Sequence, residues 1–147
     1  MSKANPLHRS DFDVFRQINL RWMDVDVYGH VNNVHYLSFF DTAVNGWYIE
    51  QGVLDLDHSD KVFLVVETGC QYFREIRFGQ IVNVGIRIGK LGNTSIVFDI
   101  AIFCEDFQTA AAQGKFVHVL VDRDHRRPVP IPKQMRTVFQ KIAVRSD

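Results

Sequence analysis

Apolar residues recur along this chain with two different periods, and the change of period divides it into elements. From Asn33 to Gln51 the spacing is helical: Tyr36, Leu37, Phe39, Phe40, Ala43, Val44, Trp47 and Tyr48 cover most of the circumference. His35, Ser38, Thr42 and Asn45 make only a narrow polar stripe, so the helix is expected to be mostly buried, its aromatics serving as core. Gly52 supplies a stop, and the acidic stretch 53–60 reads as a surface loop. Elsewhere the period is two. Arg16, Ile18, Leu20 and Trp22 alternate with Gln17, Asn19, Arg21 and Met23, which predicts a strand running up to Trp22. After Lys61 come Val62, Leu64, Val66, Cys70 and Tyr72 on one face, then Val82, Val84, Ile86 and Ile88. Ile96, Phe98, Ile100, Ile102 and Cys104 follow the turn residues Gly89, Gly92 and Asn93, and a last run holds Val117, Val119 and Val121. One strand, one long buried helix and four successive strands predict an α+β domain in which an antiparallel five-stranded sheet wraps a central helix.

Composition narrows the setting. A chain of 147 residues is expected to be a single domain, with a loose tail over 1–10 and a weakly helical C-terminal extension over 133–147. Seventeen basic residues balance seventeen acidic ones, which argues against nucleic acid as a partner. No apolar run approaches the roughly 20 residues needed to span a bilayer, and no apolar segment follows Lys3 as in a secretory leader. Cys70 and Cys104 form no C-x-x-C pair, so neither a metal nor a redox motif is predicted and a reduced, cytoplasmic protein fits best. The chain carries no Walker loop, no G-x-G-x-x-G after a strand, no G-x-S-x-G elbow and no H-E-x-x-H, so no cofactor or metal is expected.

The joint between the first strand and the helix concentrates the candidate chemistry. Within R-W-M-D-V-D-V-Y-G-H-V-N-N-V-H-Y, residues 21–36, stand two carboxylates, a tyrosine, a glycine, a histidine and two asparagines. The first turn of a helix carries backbone N–H groups without intrahelical partners and the positive end of the helix dipole, a ready place for a developing oxyanion. Asn32 or Asn33 also suits an ordinary N-cap. Asp26 lies seven residues ahead of Asn33, and Gly29 lets the chain turn closely enough to aim a carboxylate at the helix start. Asp24 is the better candidate for a cap or a pair with Arg21.

The stretch D-V-D-V-Y-G-H-V-N-N-V-H-Y resembles the signature of the 4-hydroxybenzoyl-CoA thioesterase branch of the hotdog-fold acyl-CoA thioesterases, D-x-D-x-x-G-H-V-N-N-x-x-Y, with Gly29, His30, Val31, Asn32, Asn33 and Tyr36 all in place. The likeness extends from Phe15 to Pro132. Plant acyl-carrier-protein thioesterases share a similar stretch but carry an asparagine where this chain has Tyr28, which weakens the transfer of an Asn-His-acid mechanism to His30. Residues 73–80, F-R-E-I-R-F-G-Q, resemble a segment that usually ends in F-G-D; here Gln80 replaces the acid.

The resemblance implies a hotdog fold and hydrolysis of an acyl-CoA to free acid and CoA. It implies Asp26 as catalytic carboxylate, nucleophile or general base, and a backbone N–H at Asn33 polarising the thioester carbonyl. His30 is a second catalytic candidate. Tyr28, Gly29, Asn32, Tyr36 and Glu67 are expected at the substrate. The family also implies a homodimer or tetramer whose subunits join their sheets edge to edge with Asp26 facing the partner. An acyl carrier protein is possible in place of CoA. Arg123, His125, Arg126 and Arg127 form a basic cluster for the CoA phosphates, or a plain solvated run. The alternative from a different class is a hotdog module that binds acyl-CoA or an acyl carrier without cleaving it; the carboxylate at Asp26 favours the enzyme.

Overall fold

The computed structural model describes residues 4–144, so 1–3 of the expected tail and 145–147 of the expected extension lie outside the described residues. Its elements, in order, are β1 (Val14–Ile18), α1 (Tyr36–Glu50), β2 (Lys61–Thr68), β3 (Gln71–Tyr72), β4 (Val82–Leu91), β5 (Ser95–Cys104), β6 (Ala112–Asp122) and α2 (Lys133–Gln140). All strand pairs are antiparallel, in the order β1-β4-β5-β6-β2, with the two-residue β3 continuing β2's side of β6. This is the predicted α+β hotdog arrangement, a sheet curved around one long helix, with six strands in place of the predicted five because the run from Val62 to Tyr72 breaks at Gly69 and Cys70 into β2 and β3.

The helix pattern and the two central strands lie as the sequence predicts. Tyr36, Phe39, Phe40, Ala43, Val44, Trp47 and Tyr48 are buried in α1, against Val82, Val84, Ile86 and Ile88 of β4 and Ile96, Phe98, Ile100 and Ile102 of β5. Large aromatic side chains dominate this core: Trp47 meets Phe98 edge-on and Phe139 at a tilt, and Tyr48 stacks on Phe63 at 4.2 Å.

Three details differ from the sequence reading. The first strand stops at Ile18, because Asp24 accepts the Arg21 backbone N–H and turns Trp22–Asp24 into a 3-10 turn that leaves Trp22 exposed. The inward face of β6 is Phe116, His118 and Leu120, opposite to the predicted Val117, Val119 and Val121. Register carries the same exchange to β2: Phe63 pairs with Leu120 and packs on the core while Val62 and Leu64 face outward, and Val65, opposite His118, is already exposed toward the strand's end. A binary pattern misreads these strands because the inner face holds a histidine and the outer face is lined by valines. Beyond Val65 a β-bulge shifts the register, leaving Val66 exposed and sending Glu67 to the outer face opposite Val117.

His118 survives in the core by pairing: its Nδ1 lies 2.7 Å from the Tyr48 hydroxyl, boxed by Phe63, Phe98 and Phe116. Burial holds its pKa down at about 4 and pushes that of Tyr48 well up, so both are neutral. The segment ahead of β1 lies on the outer face, where the Leu7 N–H donates to Gln113 Oε1 (2.6 Å) and the Arg9 N–H to the Gln108 carbonyl (2.8 Å).

Candidate active site

The joint between β1 and α1 is held by two carboxylates with separate tasks. Asp24 is fully buried and accepts from the Arg21 backbone N–H (2.7 Å) and from Arg21 Nη2 (2.8 Å); His35 Nδ1 lies 3.7 Å away. Its desolvation is outweighed by the guanidinium and its hydrogen bonds, which keep the pKa below the usual carboxylate range. Its carbonyl accepts the Asn32 N–H (2.9 Å), so one residue ties strand exit, loop and helix start together. Asp24 is therefore the structural acid.

Asp26 is exposed and organises the turn that follows. Its Oδ1 accepts the backbone N–H groups of Tyr28 (2.9 Å) and His30 (3.1 Å), while its own N–H donates to the His30 carbonyl (2.8 Å). Gly29 closes the turn at φ +79°, a conformation that glycine adopts without steric cost. These bonds use one carboxylate oxygen. Oδ2 makes no hydrogen bond among the described residues. The His30 ring turns away from Asp26, its Nε2 standing 3.3 Å from Glu75 Oε2 without hydrogen-bond alignment. Tyr28 is exposed at the tip of the turn.

The helix start is capped in part. Asn32 Oδ1 accepts the Val34 N–H (3.3 Å), and the carbonyls of Asn32 and Asn33 receive the N–H groups of His35 and Tyr36. The Asn33 N–H has no acceptor among the described residues. Asn33 lines an open cleft of about 330 Å³ with Val31, Tyr36, Tyr72, Phe73, Arg74 and Glu75. Tyr72 donates its hydroxyl to the Asn33 carbonyl (3.3 Å), and its ring meets that of Tyr36 edge-on at 5.0 Å. Burial pushes the Tyr36 hydroxyl up to about 12, so it stays a neutral wall of the cleft.

The structure brings Asn33 and Tyr36 to one cleft, whereas Asp26, Tyr28, Gly29, His30 and Asn32 do not line it; the Asp26 turn reaches its rim through His30, which meets Glu75, and through the neighbouring Val31. Glu67 stands apart, in a larger cleft of about 450 Å³ on the outer face with Cys70, Asp99, Gln113 and Lys115. Sequence reasoning missed Tyr72, Phe73 and Glu75 as cleft residues; it gives Tyr72 only as part of a strand face, and Phe73 and Glu75 only as part of the 73–80 stretch that resembles the family. No group of three or more His, Cys, Asp or Glu side chains able to hold a metal is assembled among the described residues. No helix among them is long and apolar enough to cross a membrane.

Comparison with known proteins fits this geometry. A family model described as the thioesterase-like superfamily matches residues 20–139. The chain belongs to the thioesterase-like superfamily. With the family comes its chemistry, hydrolysis of thioesters, on a hotdog fold. The Pseudomonas aeruginosa protein PA5185, of known crystal structure, superposes with a TM-score of 0.92 at 42% identity, over 97% of this chain and 99% of that one. Among curated proteins, the long-chain acyl-CoA thioesterase FadM of Escherichia coli is 22% identical over 86% of this chain and 96% of its own. YsmA of Bacillus subtilis is 18% identical over 60% of this chain, and the match spans 59% of YsmA.

Proposed function

We propose that this thioesterase hydrolyses an acyl-CoA, with Asp26 supplying the acid and the Asn33 N–H polarising the thioester carbonyl. The observation that carries the proposal is the unpaired Asn33 N–H at the helix start, opening on an aromatic cleft beside a carboxylate with one oxygen to spare. A thioester carbonyl is electrophilic and its thiolate leaves readily, so a carboxylate to attack or to activate water and a donor for the oxyanion suffice. The backbone bonds to Oδ1 fix the carboxylate plane, and Oδ2 is the oxygen that acts. His30 works through the turn, as its backbone N–H binds Asp26 while its ring faces Glu75 at the cleft rim. The acyl-CoA activity named for FadM supports the choice of thioester.

The functional unit in this proposal is a homodimer, or a tetramer built from two. β2 is an edge strand whose last four residues, Val65, Val66, Glu67 and Thr68, are exposed. An unpaired apolar edge is a template for a second copy. The outer face adds a half-exposed apolar stripe of Val62, Leu64, Val97, Val117 and Val119. Free thiols at Cys70 and Cys104 fit a reducing, cytoplasmic setting.

The test is thiol release from a panel of short, long and aromatic acyl-CoAs by the wild type and by Asp26→Asn, which keeps side-chain shape and removes the acid. Turnover of some member with a loss of about 100-fold or more in the variant is expected. Binding without thiol release by the wild type would instead make Asp26 a turn-forming residue in a module that holds acyl-CoA uncleaved.

A further inference from the structure

Most arginines of this chain are already spent. Among the described residues, the guanidinium of Arg9 binds the carbonyls of Glu105 and Phe107, Arg16 binds Glu50, and Arg21 binds Asp24. Arg74 binds Thr109, Arg87 binds Asp99, Arg123 the Leu56 carbonyl and Arg136 the carbonyls of Gly92 and Asn93. Arg77, Arg126 and Arg127 are left with no hydrogen bond or ion pair on the guanidinium. Arg126 and Arg127 follow β6 at the end reached by the C-terminal half of α1. Arg77 alone adjoins the candidate active site.

Its backbone is fixed there with unusual care for an exposed residue. Arg77 forms a bridge pair with His30, and the next N–H, of Phe78, donates to the Gly29 carbonyl (3.0 Å). Gln80 closes the turn from the other side: its Oε1 accepts the Arg77 N–H (2.7 Å) and its own N–H donates to the Arg77 carbonyl (3.1 Å). Gln80 does this without adding a negative charge, and the nearest acid on the segment, Glu75, stands beside His30. Bridge partners lie about 5 Å apart at Cα, so the guanidinium hangs from the Asp26 turn by one strand spacing plus its own side chain. Next to Arg77 in the chain, exposed Phe78 packs edge-on against exposed Trp22 at 5.3 Å to form an apolar shelf, with Tyr28 exposed at the turn tip.

We propose that Arg77 binds the 4′-phosphate of the substrate's phosphopantetheine arm, with the Trp22–Phe78 shelf under the arm and the thioester at Asp26. This rests on the thioesterase reading and extends it from the acyl end to the carrier end. An unpaired, always-charged guanidinium on a pinned turn suits a phosphate, which it meets with two parallel N–H donors. The apolar shelf suits the dimethyl-bearing arm between phosphate and thioester. The 4′-phosphate is common to CoA and to the prosthetic arm of an acyl carrier protein, so the site reads that group whichever carrier presents it.

Binding decides the proposal without turnover. Titration calorimetry with 4′-phosphopantetheine and with pantetheine is expected to show the wild type favouring the phosphorylated arm about tenfold, a preference that Arg77→Ala abolishes, Arg77→Lys keeps in part and added salt weakens. Because Arg77 is exposed and its side chain has no partner, the variants should keep the wild-type melting temperature. A variant that retains the full preference, or a wild type with no preference, overturns the proposal. Steady-state KM values then name the source: a rise confined to acyl-CoA or to acyl carrier protein marks that carrier, and pantetheine thioesters should be unaffected. If no thioester is cleaved at all, the hydrolase reading falls while the binding ratio still judges Arg77.

Discussion

Asp24 and Asp26 show how burial separates two identical side chains two residues apart. The buried one is paired with Arg21 and ties the joint, and the exposed one leaves its Oδ2 without a hydrogen bond among the described residues. The same contrast governs the histidines, and His118 gives it a measurable consequence. In the folded chain it takes up a proton only near pH 4, whereas an unfolded histidine does so near 6.5. Between those values the unfolded state binds more protons, so stability falls as the pH drops through this window, by about 3 kcal/mol in total from this group. Urea denaturation at pH 7, 5.5 and 4, where about 1.4 kcal/mol per pH unit is the ceiling for one group, should give a shallower loss for the double variant Tyr48→Phe/His118→Leu. An unchanged slope would mean that His118 is hydrated and titrates as in a free peptide.

At the level of elements, the β2–β3 link crosses β6 so closely that Gly114 has no room for a side chain. A Cβ on Gly114 would overlap the Gly69 carbonyl oxygen, while the Gly69 N–H donates to the Lys115 carbonyl (3.1 Å). Gly114→Ala should cost about 3 kcal/mol, read as a fall in melting temperature, and should loosen Tyr72 from Asn33. Alternation along β4, β5 and α1 was legible in the sequence because one face of each is uniformly apolar. β2 and β6 were not, since Phe63, His118 and Leu120 lie inward while valines lie outward, and only strand pairing decides between the faces. The site divides in the same way. A contiguous motif announced Asp26, Gly29 and Asn33, but Tyr72, Glu75 and Arg77 meet Asn33 and His30 from 39 to 47 positions later, through tertiary pairing that no local pattern encodes.

For the molecule as a whole, the exposed end of β2 and the outer valine stripe mean that a single protomer leaves apolar surface uncovered. Val66→Lys places a charge on the bulge at that edge, where a second copy is proposed to pair. Light scattering is expected to show a monomer that melts close to the wild type yet has lost thioesterase activity; a dimer of undiminished activity would place the subunit interface elsewhere. The Asp26 turn itself is built almost wholly from main-chain hydrogen bonds: among residues 25–30 none is buried, and the bonds from Asp26, Gly29, His30 and Phe78 involve backbone or the one carboxylate. Side chains at Val27 and Tyr28 consequently carry almost no folding energy. Such positions can be exchanged by single mutations without a compensating change in the core, so the face of the turn is free to vary while the fold beneath it stays fixed.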